Sequence, residues 1–316
     1  MRADKFSKLV KASDKLTLRQ RRLLLKRLEK AEHEERVVGW IEPQQEGRPV
    51  CPYCKTEDPI RWGSSHGLSR FRCRNCKRTF NTLTNTPLAH LRHKERWPAF
   101  AKTMIEGKSV RKSAQACGVH RNTAFRWRHR FLRLPEENQD TVLQGIAEAD
   151  ETFFLYSQKG QRDLQRRPRN RGGTAAKRGR SNEQVCVLVA RDRAGATVNH
   201  VLPEFTKDTL LNVLQPVLAE DTLLCSDGLS VYKAFAADAG VAHKVVNLSA
   251  GVRIVEQAFH IQNVNAYHSR LKTWLRRFNG VATKYLSNYL GWYRWLDKST
   301  NNATPQAWML TALGRS

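Results

Sequence analysis

The sequence lacks an uninterrupted apolar run that could cross a membrane, lacks a recognisable signal peptide, and is poor in acidic residues. A membrane-spanning helix needs about 20 apolar residues, so we exclude a membrane partner. Only 29 Asp and Glu residues oppose 55 Lys and Arg residues, which gives a net charge of +26. Because basic side chains that neutralise phosphates release counterions, this excess predicts a nucleic-acid partner.

The chain also lacks the cysteine pattern of a secreted disulfide framework. Four of its seven cysteines form two closely spaced pairs and three are scattered: Cys51 and Cys54, Cys73 and Cys76, then Cys117, Cys186 and Cys225. This usage is typical of a reducing compartment in which paired cysteines bind a metal. We therefore expect a cytoplasmic protein with one such metal site.

At 316 residues the chain is longer than a single core usually supports, since single cores stop growing near about 250–300 residues. We therefore predict a multi-domain α/β protein. Its predicted segments are a basic helical arm with a linker (1–45), a zinc ribbon (46–84), a helix-turn-helix region (85–135), an α/β domain (136–300) and a C-terminal tail (301–316).

The first 36 residues are basic and have helical spacing. Thr17 is placed to cap a helix with a partial apolar stripe. The leucines of this stripe are Leu18, Leu23, Leu24, Leu25 and Leu28. One interpretation is an arm that lies along DNA or a partner subunit, and the other is a helix that packs on its own chain. Residues 43–49, rich in Pro and Gln, then predict a linker.

Two Cys-x2-Cys knuckles, Cys51–Cys54 and Cys73–Cys76, are separated by 18 residues. This spacing allows four thiolates to surround one Zn²⁺ ion tetrahedrally. Strand-like segments at 60–62 and 70–72 complete the pattern of a zinc ribbon. Since a closed four-cysteine shell leaves no open coordination position, we expect this zinc to be structural and to stabilise the small module.

Residues 109–132 have the spacing of a helix-turn-helix motif, with Gly118 in the turn. We expect the second helix to run from about Arg121 to Leu132. The aromatic side chains that we expect to be mostly buried are Phe125, Trp127 and Phe131. The candidate contacts to a DNA major groove are Arg121, Asn122, Arg126 and Arg130.

The following segments alternate between strand and helix patterns, which predicts an α/β domain. Asp150 lies inside a predicted strand, and Asp227 directly follows another. A later predicted helix carries Asn265 and Lys272, which are seven residues apart and therefore share a face. This order is that of an RNase H-like domain, in which two carboxylates and a third ligand hold two divalent ions about 3.5–4 Å apart. Hard oxygen ligands favour Mg²⁺, or Mn²⁺.

Between the first two predicted strands of this domain, residues 159–180 are strongly basic and nearly free of apolar side chains. Such a segment offers no core of its own, so we expect it to order against DNA or a second protomer. Its candidate DNA contacts are Arg166, Arg167, Arg169, Arg171, Lys177 and Arg178.

The aromatic residues of 285–295 recur at helical spacing. We expect them to pack in the core of the domain and not to stack on bases, because aromatic side chains at this spacing usually bury their rings against one another. From residue 301 onward we expect a polar tail with at most a short helix.

Together these motifs resemble the IS1595-type (ISXO2-like) insertion-sequence transposases, a DDE-type family. The matching pieces are the four-cysteine ribbon, residues 113–132, residues 148–152, residues 226–228 with Tyr232, and residues 260–272. The resemblance implies that Asp150, Asp227 and Asn265 take the metal-site positions, and that Lys272 takes the basic position seven residues later. It also implies the branch of the family that has Asn at the third position.

The neutral ligand needs its own explanation, because an amide brings no charge and takes up no proton at neutral pH. We expect Asp150 and Asp227 to provide the charged ligation, and Asn265 to complete one shell through its carbonyl oxygen. Lys272 would hold a phosphate of the cleaved or transferred strand as a point charge.

Three neighbours of these residues are also ionisable. His260 either orients a phosphate or a ligand, or has a structural role before the helix, and both interpretations stay open. Strand alternation puts Glu148 on the same face as Asp150 and Glu151 on the opposite face, so we expect Glu151 to lie outside the metal shell.

The predicted function is that of a DNA transposase of a bacterial or archaeal insertion sequence, acting at the nucleoid. It would bind terminal inverted repeats and catalyse Mg²⁺-dependent cleavage and strand transfer into target DNA. A synaptic complex of two DNA ends implies a homodimer or a larger assembly. The alternatives are an inactive, transposase-derived DNA-binding regulator and an RNase H-like nuclease without transfer activity.

Overall fold

The computed structural model describes residues 2–42, 49–137, 139, 142–164, 167, 173–176, 181–247, 250–300 and 302–315. The chain divides into two compact units. Unit 1 draws on the described residues within 1–106, 111–127 and 304–316, and unit 2 on those within 107–110 and 128–303. In the described part of the chain, no helix is both long and apolar enough to cross a membrane.

Unit 1 begins with two helices, α1 (Ala3–Ser13) and α2 (Leu18–Ile41). Thr17 caps α2 as predicted, because its hydroxyl accepts the Gln20 amide N–H while the Gln20 side chain accepts the Thr17 N–H at 2.9 Å. The stripe of five leucines at residues 18–28 is exposed. The structure therefore does not support the interpretation in which this stripe packs on its own chain.

A three-stranded antiparallel sheet follows, made of β1 (Ile60–Ser65), β2 (Leu68–Arg72) and β3 (Thr79–Asn81). It brings the two cysteine knuckles together, and the four Sγ atoms of Cys51, Cys54, Cys73 and Cys76 lie within 4.8 Å of one another. The Phe71 and Phe80 rings stack beside them with centroids 5.7 Å apart. Four thiols this close together can hold one metal ion.

The next helices are α3 (Trp97–Ile105), α4 (Val110–Cys117) and α5 (Arg121–Glu137). The turn between α4 and α5 uses Gly118 at a φ of +60°, a conformation that favours glycine. The Val119 N–H donates to the Ala114 carbonyl at 3.0 Å, and the Arg96 guanidinium donates to the Cys117 carbonyl at 3.2 Å. These bonds close the predicted helix-turn-helix.

The two faces of α5 agree with the predicted pattern except at one residue. The expected DNA-facing residues are all exposed: Arg121, Asn122, Arg126 and Arg130. Trp127 and Phe131 are buried, as expected. The prediction is wrong for Phe125, which is 40% exposed. Phe125 lies three residues after Asn122 and four after Arg121, so it shares their face of the helix.

The end of α5 also differs from the prediction. The helix continues through Pro135 to Glu137 and does not stop near Leu132. Pro135 lies in the last turn, where its missing N–H removes at most one helical hydrogen bond. Its carbonyl accepts the buried Arg294 guanidinium at 2.7 Å, so a residue far along the chain stabilises this helix end.

The C-terminal segment contains a short helix, α10 (Pro305–Ala312), as the sequence allowed, but the expectation of a polar tail is wrong because side chains of this helix are buried. The Thr304 side chain accepts the Ala307 N–H at 3.1 Å. Trp308 and Met309 are buried where α10 packs on α3 within unit 1. The tail therefore contributes to the core of unit 1.

Unit 2 is built on a mixed five-stranded sheet. Its strands are β4 (Ile146–Leu155), β5 (Gln184–Asp192), β6 (Thr197–Leu202), β7 (Leu223–Ser226) and β8 (Ala242–Val245). The spatial order is β6-β5-β4-β7-β8, with β4 antiparallel to β5 and parallel to β7. The α/β prediction is confirmed in this respect, and the strand of Asp150 lies at the centre of the sheet.

Four helices pack around this sheet: α6 (Lys207–Leu214), α7 (Ser230–Ala239), α8 (Gln262–Arg276) and α9 (Leu286–Lys298). The predicted apolar face around α8 is buried, and its members are Val264, Tyr267, Leu271, Leu275 and Phe278. The aromatic residues of α9 pack as predicted, with the Trp292 ring fully buried and its centroid 4.9 Å from that of Trp274. This packing fixes α8 within unit 2.

The four-cysteine cluster predicts one tightly bound zinc ion per chain. Cys51→Ser should abolish it and unfold the ribbon, because a module this small relies on its metal for stability. Zinc content by atomic absorption, together with proteolysis of residues 49–86, measures both effects. The matched control is Cys186→Ser, a buried cysteine of unit 2, which should retain zinc. Full zinc content in Cys51→Ser would contradict the assignment.

Candidate active site

The central sheet brings Asp150 and Asp227 to the same level. Parallel pairing of β4 with β7 aligns Glu148 with Cys225, and each aspartate lies two residues farther along its own chain segment. Continuing this register by two residues puts Asp150 level with Asp227, which directly follows the end of β7. The Asp227 Oδ1 accepts the Leu229 N–H at 3.2 Å, which orients its carboxylate in the turn before α7.

Tyr232 of α7 lies close to several negatively charged side chains. Its side chain is fully buried, and its hydroxyl donates to Glu151 Oε2 at 3.2 Å. Burial, followed by the charges of Glu151, Asp150 and Asp227, raises the pKa of Tyr232 well above its usual value. The phenol therefore stays protonated at neutral pH, and all three carboxylates lie within electrostatic range of it.

Glu148 has a different environment, because its carboxylate is completely buried against the start of α8. Its Oε2 accepts the main-chain N–H groups of Asn263 at 2.8 Å and Val264 at 3.0 Å, and its Oε1 accepts the Asn263 side-chain amide at 2.9 Å. The first amides of a helix have no partner within the helix and carry partial positive charge. Glu148 thus joins β4 to α8.

Arg193 and His260 complete the surroundings of Glu148. The Arg193 Nε and the His260 Nδ1 lie 3.3 Å and 3.2 Å from Glu148 Oε1. The second imidazole nitrogen, Nε2, lies 2.7 Å from Arg193 Nη1. Because both nitrogens of His260 have protein partners, this geometry favours its structural interpretation over a direct catalytic role.

The face of α8 beyond this junction carries Asn265, His268 and Lys272 at steps of three and four residues, so the three side chains share one side of the helix. The His268 Nδ1 lies 3.6 Å from Asp150 Oδ2. Burial lowers the pKa of Lys272, while the nearby negative charge of Asp150 opposes that shift. Asp150 is therefore close to both His268 and Lys272.

Asn265 is half-buried and lines a cavity of about 320 Å³ with Arg253, Ile261 and Gln262. Within the described residues, no hydrogen bond joins its amide to Asp150 or Asp227. Its place one helical turn before His268 puts it on the Asp150 side of α8. Of the predicted site residues, Asp150 and Asp227 lie at one level of the sheet and Lys272 lies within electrostatic range of Asp150.

The basic insertion starts next to the far end of α8. The Lys159 Nζ donates to the carbonyls of Phe278, Asn279 and Gly280 at 3.0, 3.1 and 2.7 Å, where a cation is favourable. Arg167 is exposed. The remaining candidate contacts of this segment fall outside the described residues: Arg166, Arg169, Arg171, Lys177 and Arg178.

The donor set is consistent with a divalent cation held by oxygen ligands. The two aspartates lie at one level of the sheet, and an amide and an imidazole lie on the face of α8 next to Asp150. Over the described residues, only the four cysteines form a group of three or more His, Cys, Asp or Glu side chains whose ligand atoms lie within 4.8 Å of one another. Asp150, Asp227 and His268 therefore do not form such a group, and Asn265 would add a neutral oxygen donor.

Comparison with known proteins identifies this arrangement. Residues 142–295, which contain Asp150, Asp227, Asn265 and Lys272, match the family model of the ISXO2-like transposase domain. These residues form an ISXO2-like transposase domain. A second model, a homeodomain-like domain, matches residues 90–136 of the transposase and covers its helix-turn-helix. This part of the transposase is a DNA-binding domain.

A curated relative agrees with this assignment. The transposase is 29% identical over 245 residues to an uncharacterized protein in transposable element ISH50 of Halobacterium salinarum. The aligned region covers 76% of this chain and 82% of the relative. The family and this relative both associate the chain with an insertion sequence.

Two solved structures have low similarity to the transposase. One is a simian T-cell lymphotropic virus intasome in complex with PP2A regulatory subunit B56 gamma, at 11% identity over 61% of this chain and 67% of that chain, with a TM-score of 0.28. The other is a pre-cleavage Mos1 transpososome, at 10% identity over 68% and 77%, with a TM-score of 0.18. Both scores are too low to support a conclusion.

Sequence reasoning missed His268 and Arg193. His268 could have been found from its spacing alone, since it lies three residues after Asn265 and four before Lys272. Arg193 gives no such signal, because its contact with Glu148 joins residues that are far apart along the chain.

Glu148→Gln tests the junction between β4 and α8. Removing charge from a buried, paired carboxylate typically costs about 3–5 kcal/mol, so we expect a fall of several degrees in the midpoint of thermal unfolding. Hydrogen exchange at residues 261–268 should accelerate, because the acceptor of the first turn of α8 loses its negative charge and one of its two oxygens. The control is Glu204→Gln, which removes an exposed carboxylate. If both variants protect α8 as wild type does, Glu148 does not position this helix.

Proposed function

We propose that this transposase binds the terminal inverted repeats of its insertion sequence and catalyses divalent-metal-dependent DNA cleavage and strand transfer. The observation that carries the proposal is the pair Asp150 and Asp227 at one level of the sheet, with the basic face of α8 beside Asp150. The β6-β5-β4-β7-β8 order supports an RNase H-like arrangement of the catalytic domain.

In this mechanism Asp150 and Asp227 hold Mg²⁺ or Mn²⁺, and the Asn265 carbonyl oxygen completes one shell. The bound ions supply activation of a water or a 3′-hydroxyl and stabilisation of the leaving oxygen. Lys272 holds a non-bridging phosphate oxygen near Asp150 through its ammonium group. Tyr232 keeps Glu151 hydrogen-bonded, which supports our expectation that Glu151 stays outside the metal shell.

DNA recognition is assigned to the exposed face of α5. Arg121, Asn122, Arg126 and Arg130 are available to base edges and phosphates there, and the exposed Phe125 extends this face with an apolar contact. The net charge of +26 supplies sequence-independent attraction to DNA. The basic insertion, with Arg167, is proposed to contact DNA or a second protomer. A complex that joins two DNA ends requires at least two chains.

A catalytically inactive DNA-binding regulator is the second candidate, and the neutral Asn265 is the observation that favours it. Against it, Asp150, Asp227 and Lys272 are all present. A nuclease without transfer activity is the third candidate.

A strand-transfer assay separates these candidates. It combines the purified protein with duplex DNA that carries the terminal repeat, Mg²⁺ and a target plasmid. We expect joined product from wild type, reduced by about 100-fold or more in Asp150→Ala and Asp227→Ala, because the loss of a ligand should exceed the 10–100-fold effect of outer-shell changes. The matched control is Asp221→Ala, an exposed aspartate just before β7, which should transfer normally. DNA binding without cleavage would support the inactive regulator. Cleavage without joined product would support the nuclease.

The same assay at limiting Mg²⁺ tests Asn265. Its carbonyl oxygen contributes to ion affinity but not to charge, so Asn265→Ala should lose transfer at low Mg²⁺ and recover part of it at high Mg²⁺. Asn265→Asp adds a carboxylate and should retain transfer. Full transfer by Asn265→Ala at limiting Mg²⁺ would remove Asn265 from the shell.

A further inference from the structure

His268 is a buried polar residue of unit 2 to which the proposed mechanism gives no role. It lies on α8 between Asn265 and Lys272 and faces Asp150. Only 7% of its surface is exposed. A buried polar ring at this place needs partners, because burying an imidazole nitrogen without one costs free energy.

Neither nitrogen of His268 has a hydrogen bond in the described part of the chain. Nε2 is buried and has no acceptor or donor within bonding distance. Nδ1 lies 3.6 Å from Asp150 Oδ2, which is longer than the usual range of about 2.7–3.2 Å for an N–H···O bond. The ring is therefore directed at the carboxylate but does not bond to it.

The separation of 3.6 Å suits two donors of one metal ion. Ligand atoms at about 2.0–2.2 Å from an ion lie about 2.8–3.1 Å apart at octahedral angles and about 3.3–3.6 Å apart at tetrahedral angles. A cation between Nδ1 and Oδ2 would satisfy both atoms at once. The contact that is too long for a hydrogen bond thus has the right length for shared coordination.

The third ligand position gives an independent reason for an extra donor. Asn265 contributes a neutral amide oxygen where a carboxylate would contribute charge and a stronger ligand. His268 follows it by one helical turn on the same face. Imidazole nitrogen is a better ligand for a first-row transition metal such as Mn²⁺ than for Mg²⁺, which prefers oxygen ligands and retains its waters.

We propose that His268 is a ligand, through Nδ1, of the divalent ion bound by Asp150, so that the site favours Mn²⁺ over Mg²⁺. This proposal rests on the proposed function only in requiring that Asp150 binds a metal ion. The donor set of that ion would then be a carboxylate, an imidazole and the neighbouring oxygen donors.

Pulsed electron paramagnetic resonance of Mn²⁺ tests the proposal directly, without DNA and without turnover. The protein is first saturated with Zn²⁺ so that the cysteine cluster is filled, and Mn²⁺ is then added below one equivalent. We expect a ¹⁴N coupling from directly bound imidazole in wild type. The coupling should vanish in His268→Gln and remain in His200→Gln, which changes a half-buried histidine on β6, two strands away from β4.

Affinities measured in the same titrations separate ligation from a structural role. His268→Gln should weaken Mn²⁺ binding about 10-fold or more and Mg²⁺ binding less. Equal losses for both ions, with no ¹⁴N coupling in wild type, would overturn the assignment of His268. If His268→Gln does not fold, the wild-type spectrum decides alone.

Asp150→Ala distinguishes failure of this proposal from failure of the proposed function. Mn²⁺ binding that depends on Asp150 but has no ¹⁴N coupling would reject His268 as a ligand and leave the proposed function standing. Mn²⁺ binding that is unchanged in Asp150→Ala would reject both, because the ion would then lie elsewhere.

Discussion

The buried carboxylate of Glu148 accepts two main-chain N–H groups at the start of α8, and this contact sets the position of the helix relative to the central strand. Asp150 lies two residues farther along that strand, and the side chains that face it follow at helical steps from the same junction. Arg193 balances the buried charge, and the His260 ring lies beside the same carboxylate. The distance between Asp150 and His268 therefore depends on an interaction that involves neither residue.

The neighbouring carboxylates Glu148, Asp150 and Glu151 differ in their hydrogen-bond partners. Glu148 is bonded to α8, and Glu151 accepts the hydroxyl of the buried Tyr232. Asp150 has neither kind of partner among the described residues, and the His268 ring lies 3.6 Å from its carboxylate. A carboxylate at the centre of a sheet that is not used for structure is available for a metal ion. This difference in use explains why the proposed chemistry rests on Asp150 and not on its glutamate neighbours.

Local patterns were sufficient to predict much of this fold. The cap at Thr17, the cysteine pairs, the turn at Gly118 and the apolar face of α8 all follow from short-range spacing. The same reasoning located Asp150 and Asp227 at adjacent strands. It failed for the burial of α10, because Trp308 needs a surface on α3 about 200 residues away. The contacts of Glu148 are also long-range, since Arg193 and Asn263 come from other segments, so no spacing rule finds them.

Anomalous X-ray diffraction from crystals of the transposase with Mn²⁺ and a terminal DNA duplex tests the account most directly. We predict an anomalous peak within about 2.5 Å of an Asp150 carboxylate oxygen, on the side that faces α8 and Asp227. The Glu148 carboxylate should remain bonded to the first amides of α8 in the same crystals. A peak at Glu148 or Glu151, with no peak at Asp150, would contradict the account.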